Sequence, residues 1–189
     1  MKSYAKLECD DMKSMSTAIY FFILKEFGRF PPEAGWFFID SKKLLNYYTP
    51  LLDFFKKYKL VVRDAAITVC KDNNSLPIHV DEPPVIAKLN MPVANTIGWA
   101  NRWYYVDEEK LKSCGIFKNK FGKDVPNLDN IDKSEFKLID EVVDLQTPII
   151  FNSSIPHSVE LITEVKQPRI VASFTFFNEP LNFLMENDK

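Results

Sequence analysis

The period of the hydrophobic pattern changes partway along the chain. From Met12 to Phe27 there is no Gly or Pro, and Met15, Ile19, Phe22, Ile23 and Phe27 recur at helical spacing. Asp10 and Asp11 offer N-cap oxygens before this run, and Gly28 is a natural stop after it. The pattern predicts a helix over 12–27. Gly35 to Asp40 reads as a short strand. Ser41 is expected to cap a second helical stretch through Leu45 and Tyr48. Pro50 then opens a third, carrying Leu51, Leu52, Phe54 and Phe55.

From about Leu60 the texture becomes that of strands. Leu60–Cys70, Val85–Val93, Arg102–Val106, Phe136–Leu145, Pro148–Asn152, His157–Val165 and Arg169–Phe177 are extended runs with few helical patterns between them. This predicts a mainly β, α+β chain: an antiparallel sandwich or barrel with N-terminal helices packed outside it. Residues 107–133 are polar and carry Gly115, Gly122 and Pro126. They are expected to be a long loop or insertion, of the kind that often serves as a lid or binding loop.

Composition narrows the class. The chain has 189 residues, 46% of them hydrophobic, with 5 Gly, so disordered and collagen-like chains are excluded. The length suits one domain over 1–189, with 1–59 as support, 60–178 as the β core and 107–133 as the insertion. With 26 acidic and 24 basic residues, nothing argues for neutralising nucleic-acid phosphates. Cys9, Cys70 and Cys114 are odd in number and far apart, which argues against a disulfide framework or zinc knuckle and for a reducing, cytoplasmic setting. The apolar run Ala18–Leu24 is too short to span a bilayer, and no signal peptide or membrane association is read.

The chain has only 2 His, and both have informative neighbours. In Ile78-His79-Val80-Asp81 an extended backbone puts His79 and Asp81 on one face, the way two ligands of a 2-His-1-carboxylate facial triad are supplied. In the run from His157, the residues His157, Val159, Leu161, Thr163 and Val165 share the inward face. Such a His is either a satisfied core residue or a ligand. Arg169 opens Arg-Ile-Val-Ala-Ser-Phe-Thr-Phe-Phe, one of only four Arg in the chain. Ile170, Ala172, Phe174 and Phe176 form a face suited to packing on helices. Arg169, Val171, Ser173, Thr175 and Phe177 form a partly polar one. A guanidinium there is either a barrel-end salt-bridge partner or a fork for a carboxylate. Asn90 faces with Lys88 and Ile86, a buried amide that either meets a ligand carboxylate or anchors a turn. Trp103 and Tyr105 share a face and are candidate pocket walls or core. Trp99 and Arg102 are candidate substrate contacts, and Lys110 to Lys123 a solvated stretch.

His-x-Asp, a long gap, His157 and then Arg169 resemble the Fe(II)/2-oxoglutarate-dependent oxygenases of the double-stranded β-helix (jelly-roll, cupin-like) fold, over roughly residues 60–178. Ala87-Lys88-Leu89-Asn90-Met91-Pro92-Val93, Arg102-Trp103-Tyr104-Tyr105 and Thr147-Pro148-Ile149-Ile150-Phe151-Asn152 resemble a small phage- and marine-bacterium-type branch of that superfamily. The resemblance implies His79, Asp81 and His157 as iron ligands and Arg169 as the partner of the distal 2-oxoglutarate carboxylate. It implies Fe(II), 2-oxoglutarate and O2 as the reacting set, hydroxylation of a C–H bond in a small molecule or peptide side chain, and succinate and CO2 as co-products. Many members carry Ser or Thr two residues after the Arg. Val171 stands there in this chain, Ser173 lies one step further along the same face, and Tyr105 is the candidate substitute. Two rivals remain open: a cupin-like metal-binding barrel with other chemistry, which has no use for Arg169, and a non-catalytic binding module.

Overall fold

The first helix forms where its pattern and caps require. In the computed structural model, which describes residues 2–28, 34–71, 75–81, 85–119 and 122–185, β1 (Tyr4–Lys6) precedes α1 (Met12–Phe27). Asp11 caps α1 by accepting from the Ser14 N–H at 3.1 Å, and Gly28 ends it in the left-handed region at φ 68°. β2 (Gly35–Ile39) leads into α2 (Ser41–Tyr47) and α3 (Thr49–Lys57). Asp40, not Ser41, is the cap of α2: its carboxylate accepts from the Lys43 N–H, while the Ser41 hydroxyl donates to the Arg63 carbonyl. The strands β3 (Val62–Cys70), β4 (Leu76–His79), β5 (Ala87–Ala94) and β6 (Trp99–Tyr105) follow. After them come α4 (Glu108–Ser113), β7 (Ile116–Lys118), β8 (Asp124–Pro126), β9 (Lys137–Val143), β10 (Ile149–Asn152), β11 (His157–Leu161) and β12 (Arg169–Phe176).

Two antiparallel sheets make the body. The larger runs β1-β10-β5-β12-β3-β2 and the smaller β4-β11-β6-β9. This is a double-stranded β-helix, with the N-terminal helices on the outside of the larger sheet. The two faces of β12 explain how the helices and the interior are kept apart. Ile170, Ala172, Phe174 and Phe176 join Met15, Ile19, Phe22 and Ile23 of α1 and Leu51, Phe54 and Phe55 of α3 in the main hydrophobic core. Phe55 packs edge-on against Phe174 with ring centroids 4.9 Å apart. Burying side chains of this kind contributes about 1.5–3 kcal/mol each. The opposite face of β12 turns Arg169, Val171 and Ser173 toward the smaller sheet.

The segment 107–133 departs from the expected loop. Its described residues hold α4, the β7–β8 hairpin and a short 3-10 turn; residues 120 and 121 lie outside the described residues. Its Cys114, Leu128 and Ile131 form a small core with Val106, which contacts Ile78 of β4 and Val80 just after it. Of the Lys110–Lys123 stretch, read along the chain as solvated, Cys114 and Leu111 join this core, while Ile116 and Phe117 are exposed. Among the described residues, no helix is long and apolar enough to cross a membrane.

Candidate metal centre and adjoining cavity

The register of β4 against β11 decides where the histidines lie. His79 and His157 are direct cross-strand partners, with ring centroids 4.3 Å apart. Each is held by the same device. The Nδ1–H of His79 donates to the Pro77 carbonyl and that of His157 to the Ile155 carbonyl, both at 2.8 Å. A carbonyl can only accept, so the proton is on Nδ1 in both rings and each Nε2 keeps a free lone pair. Asp81 follows β4. Its N–H donates to the Ser153 carbonyl at 2.9 Å, and its Oδ2 lies 3.8 Å from His157 Nε2. The ligand atoms of His79, Asp81 and His157 all lie within 4.8 Å of one another. Two imidazoles and one carboxylate presented together form an N/O donor set suited to a divalent first-row transition ion.

Electrostatics keep this set ready. Burial pulls the His157 imidazole down to about 3, helped by the neighbouring His79, so the ring is neutral. Burial alone would raise the Asp81 carboxyl. The Lys88 ammonium leads the effects that outweigh it and hold the group below its ordinary value. Lys88, two residues before Asn90 on the inward face of β5, places its Nζ 2.9 Å from Asp81 Oδ1 and 4.5 Å from the Trp36 ring centroid. Sequence reasoning put Lys88 on this face but did not assign it a role. Trp36 was missed altogether.

Arg169 shares a cavity of about 40 Å³ with the three ligand candidates. It is 1% exposed. One Nη donates to Asn101 Oδ1 at 2.9 Å, the other lies 4.0 Å from Cys70 Sγ, and Nε–H has no acceptor. Among the described residues no carboxylate pairs with it, so it is not a barrel-end salt bridge. Burial lowers its pKa, a direct sign of a desolvated charge. Two more buried donors on residues lining the same cavity, Asn101 Nδ2 and Trp103 Nε1, also lack acceptors. A cavity with three unmatched N–H donors and a buried cation is built for an anionic, acceptor-rich ligand. Ser173 and Asn90 line it too, with the Ser173 hydroxyl donating to Asn90 Oδ1 at 2.7 Å and lying 3.5 Å from Thr68 Oγ1.

Several expectations need correction. Tyr105 is not beside Arg169. It is 52% exposed and past the end of the β6–β11 ladder, which stops at the Trp103–His157 pair. Arg169 instead meets Asn101, four residues back along β6, roughly 13 Å away at the rise of a strand. Alternation carried the signal for Asn101, because it shares the inward face with Trp103. Arg102 points the other way and pairs with Glu141 and Glu160 on the outer side of the smaller sheet. Trp99 is fully buried against Cys70 and Val159 and is core.

No protein-family model matches this chain, and no curated protein matches it in sequence. It does resemble solved structures. The non-heme α-ketoglutarate-dependent carbocyclase SnoK of nogalamycin biosynthesis superposes with a TM-score of 0.58 at 12% identity, covering 92% of this chain and 78% of that one. The epimerase SnoN, in complex with Fe3+, α-ketoglutarate and nogalamycin RO, gives 0.56 at 8% identity, covering 99% and 86%. HygX from Streptomyces hygroscopicus, with nickel and 2-oxoglutarate bound, gives 0.51 at 9% identity, covering 94% and 85%. At these identities the likeness is one of fold.

Proposed function

We propose that this protein is an Fe(II)- and 2-oxoglutarate-dependent oxygenase that hydroxylates a C–H bond of a small molecule or peptide side chain. One observation carries the reading. A buried arginine without a carboxylate partner faces the same cavity as a His-Asp-His donor set. A cupin-like barrel of other chemistry needs the donor set but not the cation, and a barrel that only binds has no reason to keep both. The known ligands of HygX and SnoN lend support, since both proteins bind a metal and the same 2-oxo diacid. SnoK is a carbocyclase and SnoN an epimerase, so the fold hosts more than one reaction. Hydroxylation is the outcome we assign to this chain. The small phage- and marine-bacterium-type branch is our proposed kinship, supported by the Ala87–Val93 and Thr147–Asn152 segments. Three free cysteines support a cytoplasmic location.

In this reading His79, Asp81 and His157 hold Fe(II), and Arg169, steadied by Asn101, holds the distal carboxylate of 2-oxoglutarate. Asn90 and Ser173 line the side of the cosubstrate. With the 2-oxo acid and O2, bound iron supplies oxidising power through oxidative decarboxylation, which releases succinate and CO2. The protein's part is position and exclusion of water. The carbonyls of Pro77 and Ile155 fix both imidazoles in the tautomer that leaves Nε2 free. The Ser153 carbonyl fixes the backbone of Asp81. Phe151 and Trp103 wall the cavity behind His157.

The test is anaerobic addition of Fe(II) and 2-oxoglutarate to the purified protein. A visible metal-to-ligand charge-transfer band is expected, and Asp81→Ala should remove it. No band with the wild type, or a band that survives Asp81→Ala, overturns the reading. Substrate-stimulated succinate release then identifies what is oxidised.

A further inference from the structure

Beyond its ion pair with Asp81, Lys88 has no part in the chemistry described above, yet it is 5% exposed and lies against a ligand candidate. Three cavities meet at its side chain. The first is the 40 Å³ space between the triad and Arg169. The second, about 310 Å³, runs from His79 and Asp81 to Phe117, Val125 and Leu128 of the 107–133 segment. The third, about 300 Å³, opens along β3 past the Arg63–Asp64 pair. Among the described residues, Lys88 and Trp36 alone line all three.

A charge count shows what Lys88 is for. Arg169 and Lys88 bring two positive charges to the interior and Asp81 brings one negative. A divalent cation and a doubly charged 2-oxo diacid cancel each other. One positive charge is then left, and it falls to Lys88, because Asp81 would share its single negative charge between Lys88 at Oδ1 and the metal at Oδ2, and Arg169 has its own carboxylate. A buried ammonium whose charge is only partly matched is costly. The 40 Å³ and 310 Å³ cavities both border His79 and Lys88, but only the larger has room for a second organic molecule, and its walls are mostly apolar. A volume of this size suits a small molecule.

We infer that the primary substrate is a small molecule carrying a single carboxylate on an apolar body, anchored by Lys88 beside Trp36 with its reacting carbon toward His79 and Asp81. This rests on the proposed function and narrows it from any small molecule or peptide side chain to carboxylates. It also explains why Lys88 is a lysine: a compact point charge on a flexible stem can leave Asp81 and turn to an incoming anion.

The experiment uses the full chain loaded with Zn(II), which is redox-inert, and 2-oxoglutarate. Binding of 2-oxoglutarate is measured first by calorimetry; if the wild type binds none, the proposed function itself fails. Two acid–amide pairs are then titrated: 3-phenylpropionate with 3-phenylpropanamide, and hexanoate with hexanamide. At least one acid is expected to bind at least tenfold more tightly than its amide. Lys88→Met should abolish that preference and Lys88→Arg retain part of it. Binding of neither acid, or acid and amide within threefold in the wild type, overturns the inference without needing a variant. So does a preference that survives Lys88→Met. If Lys88→Met instead weakens 2-oxoglutarate more than tenfold, the anion at Lys88 is the cosubstrate and the inference fails while the proposed function stands.

Discussion

Replacing Arg169 with Met tests whether this buried cation serves the fold or a ligand. In the ligand-free protein its Nε–H has no acceptor, which costs about 1–3 kcal/mol. Its one good bond, to Asn101 Oδ1, is charge-assisted and contributes about 1.5–3 kcal/mol. These two effects roughly cancel. What remains is the desolvation of a whole guanidinium, several kcal/mol after relaxation. Met has a stem of similar length and no charge, so it leaves little cavity. Arg169→Met is therefore expected to stabilise the ligand-free protein by about 1–3 kcal/mol, raising Tm by roughly 2–10 °C for a chain of this size. The same change removes one partner of a buried charge pair with the ligand, a loss of about 2–5 kcal/mol or roughly 30- to 5,000-fold in affinity. Thermal unfolding with and without 2-oxoglutarate at fixed Zn(II) reads both effects: the wild type should gain stability with ligand and the variant should not. A variant that binds 2-oxoglutarate within threefold of the wild type refutes the clamp. A variant clearly less stable than the wild type without ligand refutes the view that the charge is kept at the expense of the fold.

Three further outcomes are expected. In the metal-free protein His157 is held at about 3 by burial, against about 6.5 in an unfolded chain, so between those values the unfolded state binds a proton that the folded state does not. Stability should then fall as pH drops, by about 2 kcal/mol at pH 5, with Asp81 adding to the loss below pH 4; urea titrations at pH 7 and 5 should show a flatter dependence for His157→Gln, and equal slopes would sink the assignment. Gly98 has φ +85°, and a Cβ there would lie 2.6 Å from Thr163 Oγ1 and 2.7 Å from Val165 Cγ1, so Gly98→Ala should cost about 2–4 kcal/mol by chemical denaturation. Phe55→Ala removes the ring that α3 seats on Phe174 and Phe176 and should cost about 3–5 kcal/mol, with no change in 2-oxoglutarate affinity for the fraction that stays folded.

Local pattern carried a good deal of this. The 3.6-residue period, an Asp before it and a Gly after it delimit α1 to the residue, because caps and amphipathicity act within a few positions of one another. Alternation by two assigned both faces of β12 and put His79 and Asp81 on one side of the chain. Local pattern failed where it was too short or too polar to stand out, in the hairpin of residues 107–133, and at the α2 cap, where the flanking Asp outcompeted the Ser.

What the sequence alone determined, then, was which residues face inward. Which inward residues meet was decided by the tertiary structure. His79 is opposite His157 because β4 pairs with β11 in that register. Asn101 rather than Tyr105 reaches Arg169 because β6 carries Tyr105 beyond the ladder. Lys88 reaches Asp81 because the two sheets close over them. Side-chain alternation is a property of a single strand, set by the local backbone. Register and sheet closure come from burying both cores at once, and no stretch of sequence contains that information by itself.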